Sequence, residues 1–78
     1  MSWNPSHDQA RYDTAQALTR RHAPRWLILW SPSNRAYYAF HRGHTAVAPL
    51  REATPRQLTG EIQRVERRIA HDRHNRHP

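Results

Sequence analysis

The chain has no cysteine and no lysine, and it has few of the residues that fill protein cores. Without cysteine, disulfides and thiolate chemistry are excluded. Leu, Ile, Val and Phe together account for 11 of the 78 residues, and a domain of this length buries only about 60% of its unfolded surface. We therefore expect one small domain with a thin core, of the kind that a partner or a second copy often completes.

Long apolar runs are also missing. The longest, at residues 26–30, has five residues, whereas a transmembrane helix needs about 20. The first ten residues lack a basic start followed by an apolar stretch, so the sequence predicts no signal peptide. We expect no membrane partner and a cytoplasmic location.

The charge is strongly one-sided. All 13 basic residues are arginines, and only six residues are acidic, which gives a formal net charge of +7. Arginine makes bidentate contacts with phosphate and carboxylate groups and stacks on aromatic rings. This balance favours a polyanionic partner, which would be a nucleic acid, an anionic membrane or an acidic protein. The alternative is a solvated basic surface without a partner.

The densest hydrophobic region, residues 25–42, has the composition of a β-hairpin. Aromatic and aliphatic residues form two short runs at 25–31 and 35–41, and the Pro-Ser-Asn sequence between them is typical of a turn. A loop of two or four residues would place Ser31 opposite Ala36.

In that register both faces of the hairpin are apolar. One face carries Leu27, Leu29, Ala36, Tyr38 and Phe40. The opposite face carries Trp26, Ile28, Trp30, Tyr37, Ala39 and His41. One face must pack against the helices, and the other must be covered as well or serve as a binding surface. The sequence leaves open which face belongs to the core.

Two weaker elements flank the hairpin. Ser6 and Gln9 form a capping-box pattern, which predicts a helix that starts near His7 and ends before Pro24. The stripe expected to face the core is sparse and consists of Ala10, Thr14, Ala17, Leu18 and Arg21. The sequence of residues 45–50 predicts a third strand, and the proline in it places that strand at a sheet edge. The alternative is that these residues form an extended connector.

The clearest helix follows Thr54. This residue is a suitable N-cap, Pro55 suits the first helical position, and Gln57 completes a capping box. The apolar stripe of this helix comprises Leu58, Ile62, Val65 and Ile69, which lie on one side at helical spacing. We expect the helix to fade near Asp72.

These elements together predict an α+β fold. It has an N-terminal helix, an antiparallel β-hairpin or three-stranded meander, and a C-terminal amphipathic helix. We expect a flexible N-terminus at residues 1–5, a single domain at residues 6–71, and a flexible tail rich in basic residues and histidine at residues 72–78.

Arginines are the candidate nucleic-acid-binding residues. The set is Arg25, Arg35, Arg56, Arg64, Arg67 and Arg68. Four of them belong to the predicted C-terminal helix, where they would follow phosphates along a groove and release counterions. The alternative is a solvated helix face on which Glu61 pairs with neighbouring arginines.

Aromatic residues of the hairpin are the candidate interface. They are Trp26, Trp30 and Tyr37. Such rings commonly anchor protein interfaces, and with Arg25 and Arg35 near the strand ends they would also suit stacking on single-stranded bases. The alternative is that they form the core of the domain itself.

Histidine spacing suggests two further hypotheses. The spaced histidines are His41 and His44, and in the tail His71, His74 and His77. Because zinc sites need three or four ligands, we expect no metal and no cofactor. A small metal-independent ribonuclease would use His41, His44, Arg42 and Tyr37. No paired carboxylates or glycine-rich phosphate loop accompany them, so we assign no catalytic residue.

We therefore expect a small, arginine-rich accessory or regulatory protein that is not an enzyme. It would bind nucleic acid through its basic surface and form a homodimer or bind a protein partner. The first alternative is a protein-interaction module or homodimer that uses the aromatic hairpin face and has no nucleic-acid role. The second is the small ribonuclease.

Overall fold

The computed structural model describes residues 5–43 and 47–75, and the side chains of residues 8–43 and 47–72. Its elements are α1 (Pro5–His22), β1 (Trp26–Ser31), β2 (Ala36–His41), β3 (Leu50–Glu52) and α2 (Pro55–Asn75). The predicted α+β fold is confirmed. The two predicted flexible ends lie mainly outside the described residues. Pro5 nevertheless begins α1, and α2 continues through residues 72–75 instead of fading near Asp72.

The three strands form one antiparallel sheet in the order β1-β2-β3. The predicted hairpin register is confirmed, with Ser31 opposite Ala36 and Trp26 opposite His41. The loop between these strands has four residues. Its last residue, Arg35, has a φ of 51°, a left-handed conformation that costs a residue with a side chain roughly 1–2 kcal/mol.

The third strand is shorter than predicted and lies further along the chain. It covers Leu50–Glu52 instead of residues 45–50, and it pairs with Tyr37, Tyr38 and Ala39 of β2. Residues 44–46 lie outside the described residues. Because Pro49 has no N–H group to donate to a strand ladder, pairing starts immediately after it.

Both helices pack on the same face of the sheet. The buried core cluster contains Ala15 and Leu18 of α1, Trp26, Ile28, Trp30, Tyr37 and Ala39 of the sheet, and Leu58 and Ile62 of α2. The tryptophan-bearing face is therefore the core. The opposite face remains uncovered by either helix, with Leu27, Leu29 and Phe40 exposed.

The buried side of α1 differs from the predicted one. Ala10, Ala17 and Arg21 are exposed, and the helix buries Asp8 in their place, together with Ala15 and Leu18. A search of the sequence for apolar residues at helical spacing does not identify an acidic residue such as Asp8 as part of the buried side. The helix turns this way because Asp8 has hydrogen-bonding partners inside the fold.

Asp8 links α1 to the hairpin tip. Its Oδ1 accepts a hydrogen bond from Trp30 Nε1 at 3.2 Å and another from Arg35 NH1 at 3.0 Å, and its side chain is only 1% exposed. The guanidinium groups of Arg11 and Arg35 lie 5.0 and 5.3 Å from the centre of the Trp30 ring. The buried Asp8 carboxylate is therefore stabilised by cations and hydrogen-bond donors, which a buried charge requires.

Thr19 of α1 covers the free edge of β1. Its Oγ1 accepts a hydrogen bond from the Ile28 N–H at 2.9 Å and lies 3.1 Å from the Ile28 carbonyl oxygen. Its own proton is shared between that carbonyl and the carbonyl of Ala15, 2.9 Å away. Backbone groups on an edge strand otherwise offer a template for pairing with another chain. Thr19 thus occupies the centre of this edge.

Thr19→Val is expected to lower the free energy of unfolding by about 1–3 kcal/mol, because the Ile28 N–H loses its acceptor while the side-chain volume stays similar. Urea denaturation followed by circular dichroism measures the change. Thr59→Val is the matched control, since Thr59 is half-buried in α2 and has no hydrogen bond from its side chain in the described part of the structure. Equal losses in the two variants would contradict the role of Thr19.

The start of α2 follows the sequence pattern. Thr54 Oγ1 accepts a hydrogen bond from the Gln57 N–H at 3.2 Å, which confirms Thr54 as the N-cap. The Gln57 side chain accepts the Thr54 hydroxyl proton, at 3.1 Å, where the predicted capping box has it bind the Thr54 N–H. Leu58 and Ile62 are fully buried, whereas Val65 and Ile69 are half-buried. The last two residues line a groove of about 410 Å³ between the second half of α2 and residues 47–50. The stripe therefore anchors α2 mainly through its first half.

Candidate nucleic-acid interface

The fold separates most of the candidate arginines into two groups. Arg25, Arg67 and Arg68 lie near the base of the sheet, the end where β1 begins and β2 ends. The ion pair from Arg25 NH1 to Glu66 Oε2, at 3.8 Å, shows that α2 passes close to this end. Arg35 and Arg56 lie toward the hairpin tip, where Arg35 pairs with Asp8. Arg64 lies between the two groups, one turn of α2 before Arg67 and Arg68, and pairs with Glu61 at 3.6 Å.

The base of the sheet collects further arginines. The Arg25 N–H donates to the carbonyl of His22 at 3.1 Å, so the end of α1 adjoins the start of β1. The Arg42 N–H donates to the carbonyl of Arg25 at 2.7 Å, which places these two residues opposite each other. We call the resulting surface the basic end. It consists of Arg20, Arg21, Arg25, Arg42, Arg67 and Arg68, all of which are exposed.

The charge of the molecule is concentrated at this end. Among the described side chains, the half nearer the hairpin tip, counted together with the Arg64–Glu61 pair in the middle of α2, has five arginines and four acids, a net charge of +1. These are Arg11, Arg35, Arg51, Arg56 and Arg64, with Asp8, Asp13, Glu52 and Glu61. The half with the basic end has six arginines against Glu66 and Asp72, a net charge of +4. A concentration of one sign of charge attracts a polyanion more strongly than the same charge spread evenly.

The candidate nucleic-acid-binding residues predicted from the sequence did not include Arg20, Arg21 and Arg42. The adjacent pair Arg20–Arg21 sits in the last turn of α1, and Arg42 directly follows β2. The sequence signal that could have identified two of them is the adjacent pair Arg20–Arg21, just before the proline that ends the helix. Its significance depends on the antiparallel packing of α1 on β1, which brings the end of the helix to the base of the sheet.

The three candidate interface residues lie inside the fold. Trp26, Trp30 and Tyr37 are between 0% and 6% exposed, and the rings of Trp30 and Tyr37 are 4.7 Å apart between their centres. Burial raises the pKa of Tyr37 above its usual value, while the charge of Arg11 and a hydrogen bond with Thr14 partly oppose that rise. These rings are enclosed by the two helices, so the chain does not present them to a partner.

The exposed aromatic surface lies on the other side of the sheet. We call it the outer face and define it by Leu27, Leu29, Tyr38 and Phe40; Tyr38 is half-buried and the other three are exposed. The rings of Tyr38 and Phe40 on the central strand are nearly parallel, with 18° between their planes and 6.4 Å between their centres. The Arg51 guanidinium lies 6.0 Å from the centre of the Tyr38 ring. This face combines stackable rings with arginine.

The residues of the ribonuclease hypothesis are not brought together. Tyr37 and His41 are four residues apart on β2, which separates them by about 13 Å, and His44 lies outside the described residues. The His41 ring packs edge-on against Trp26, at 4.9 Å between ring centres, and its Nδ1 accepts a hydrogen bond from the Gly43 N–H at 3.2 Å. Within the described residues there is no group of three potential metal ligands.

Comparison with known proteins gives no matching family model, no matching curated protein and no matching solved structure. Across the described residues, neither helix combines the length and the apolar composition needed to span a bilayer. What the chain does must therefore be inferred from its own surface.

Proposed function

We propose that this chain is a non-enzymatic accessory protein that binds nucleic acid, with the phosphates held at the basic end. The observation that carries the proposal is the separation of charge, +4 against +1, between two halves of one small fold. Phosphate contacts provide most of the sequence-independent affinity of nucleic-acid-binding proteins. Arginine suits this role because its guanidinium contacts phosphate oxygens in pairs.

The pairing of the acids supports the same function. Asp8, Glu61 and Glu66 each lie within 4.0 Å of an arginine nitrogen of this chain. At the basic end, Arg25 is the arginine with an acidic partner among the described residues. The other five are exposed without one and so are available for phosphates.

Binding is expected to depend steeply on salt. If about five arginines each neutralise one phosphate of a single strand, the logarithm of the association constant falls with a slope of about −3.5, or roughly 100-fold between 50 and 200 mM salt. Fluorescence anisotropy of labelled 12-nucleotide strands and duplexes measures this. No binding at 50 mM salt would overturn the proposal. Equally effective competition by polyglutamate of the same charge would reassign the surface to an acidic protein.

A protein-interaction role is the second candidate function. It is favoured by the exposure of Leu27 and Leu29, at 37% and 48%, next to Phe40 on the outer face, since apolar patches of this kind often mark protein contacts. Sedimentation equilibrium tests it for a second copy, and a monomer at high concentration would exclude the homodimer. The expected cytoplasmic location stays a prediction.

A further inference from the structure

We infer that the outer face is a base-stacking site that selects single-stranded nucleic acid, with one base on Tyr38 and the next on Phe40. This inference rests on the proposed function and assigns the part of the ligand that the arginines do not contact. Aromatic rings exposed on a sheet surface stack on unpaired bases with little sequence preference. In a duplex the bases lie inside the stack and cannot reach a flat protein face.

The spacing of the two rings fits neighbouring bases. Tyr38 and Phe40 are alternate residues of β2, so both project to the outer side. Their near-parallel rings are 6.4 Å apart between centres, close to the separation of adjacent bases in an extended strand. One strand can therefore place consecutive bases on consecutive rings without bending its backbone.

The Tyr38 ring is held in place before any ligand arrives. Asn34 Nδ2 donates a hydrogen bond to the Tyr38 hydroxyl at 3.0 Å, and the Arg51 guanidinium lies over the ring, 6.0 Å from its centre. A ring fixed in this way loses little conformational freedom on binding. A base that stacks on this face of Tyr38 takes the place of the Arg51 guanidinium, which can then contact the phosphate of the same nucleotide.

The face adjoins the basic end. On the outer side of the sheet, the Arg25–Arg42 row follows the Leu27–Phe40 row, because the Trp26–His41 pair between them faces the core. A strand that leaves Phe40 toward the base of the sheet therefore meets arginines at once. Stacking and phosphate binding form one continuous surface.

Charge decides between the possible occupants of this face. Because side chains alternate along a strand, Arg42 and Arg51 lie on the same side of the sheet as the outer face. No acidic residue among the described residues lies on that side. A second copy would bring arginines against arginines, which costs free energy. A polyanion with apolar, stackable groups complements both the charge and the rings.

Three labelled probes of equal length test the inference: a 12-nucleotide single strand, the same strand without bases, and a duplex. With two rings each contributing about 1 kcal/mol or more, the intact strand should bind at least about 25-fold more tightly than the abasic strand. Tyr38→Leu and Phe40→Leu should each weaken binding of the intact strand by about 5-fold or more and leave binding of the abasic strand unchanged.

Leucine is the informative substitution because it keeps apolar area and removes the aromatic ring. Tyr12→Leu is the matched control, since Tyr12 is also an exposed aromatic residue, at 37%, but lies on α1. If both sheet variants bind the intact strand with wild-type affinity, the inference is overturned. Equal affinity of the wild type for the intact and abasic strands would also overturn it, but would leave the proposed function standing. Failure of all three probes to bind would overturn both.

Discussion

Replacing Asp8 with alanine is expected to lower the free energy of unfolding by about 3 kcal/mol. The substitution leaves the indole N–H of Trp30 without the acceptor it has at 3.2 Å, and it leaves Arg35 without its counterion at 3.0 Å. For a domain of this size the melting temperature should fall by roughly 12–24 °C. Thermal denaturation followed by circular dichroism measures both quantities.

Asp13→Ala is the matched control for that experiment. Asp13 lies on the same helix and accepts a hydrogen bond from Gln9 at 3.0 Å, but this contact is exposed, so its loss should cost less than about 0.5 kcal/mol. A double-mutant cycle with Trp30→Phe isolates the indole contact. A coupling energy near zero would show that the Asp8 carboxylate stabilises the fold by a route other than Trp30.

Neutralising two arginines of the basic end is expected to have the largest effect on binding. Arg67→Gln with Arg68→Gln removes two phosphate contacts, which should reduce the salt slope for single strands by about 1.4 and weaken binding roughly 10- to 60-fold at 50 mM salt. The two side chains are exposed, so the fold should tolerate the change. Anisotropy titrations at several salt concentrations give both numbers.

The same helix supplies a control with an identical change in net charge. Arg56→Gln with Arg64→Gln removes one arginine from the first turn of α2 and one, Arg64, that already pairs with Glu61 at 3.6 Å. This double variant should change the slope by much less than the first. If the two double variants lose equal affinity, net charge alone governs binding and the basic end has no special role.

Local patterns in the sequence predicted the secondary structure well where neighbouring residues alone determine it. Alternating apolar residues and a four-residue loop set the register of β1 and β2. Thr54 and Gln57 set the start of α2, and the spacing from Leu58 to Ile62 set its buried side. Each of these features depends on residues within a few positions of one another.

The candidate site was less predictable. The sequence made Trp26, Trp30 and Tyr37 the candidate interface and left the core as the alternative, and the structure places them in the core. Composition cannot separate the two faces of the hairpin, because both are rich in aromatic and aliphatic residues. The separation of charge was also hidden, since Arg20, Arg42 and Arg67 are distant in the sequence and come to the same end of the molecule only in the folded chain.

The sequence by itself determined the helices and the hairpin, its register, the cap of α2 and the excess of arginine, because each depends on local periodicity, turn chemistry or composition. Only the tertiary structure decided which face of the hairpin is buried. Both helices cover the tryptophan face, where Asp8 can accept the indole proton of Trp30 and Thr19 can satisfy the edge of β1. That choice leaves Phe40 exposed and Tyr38 half-buried on the outer face, and the proposed site follows from it.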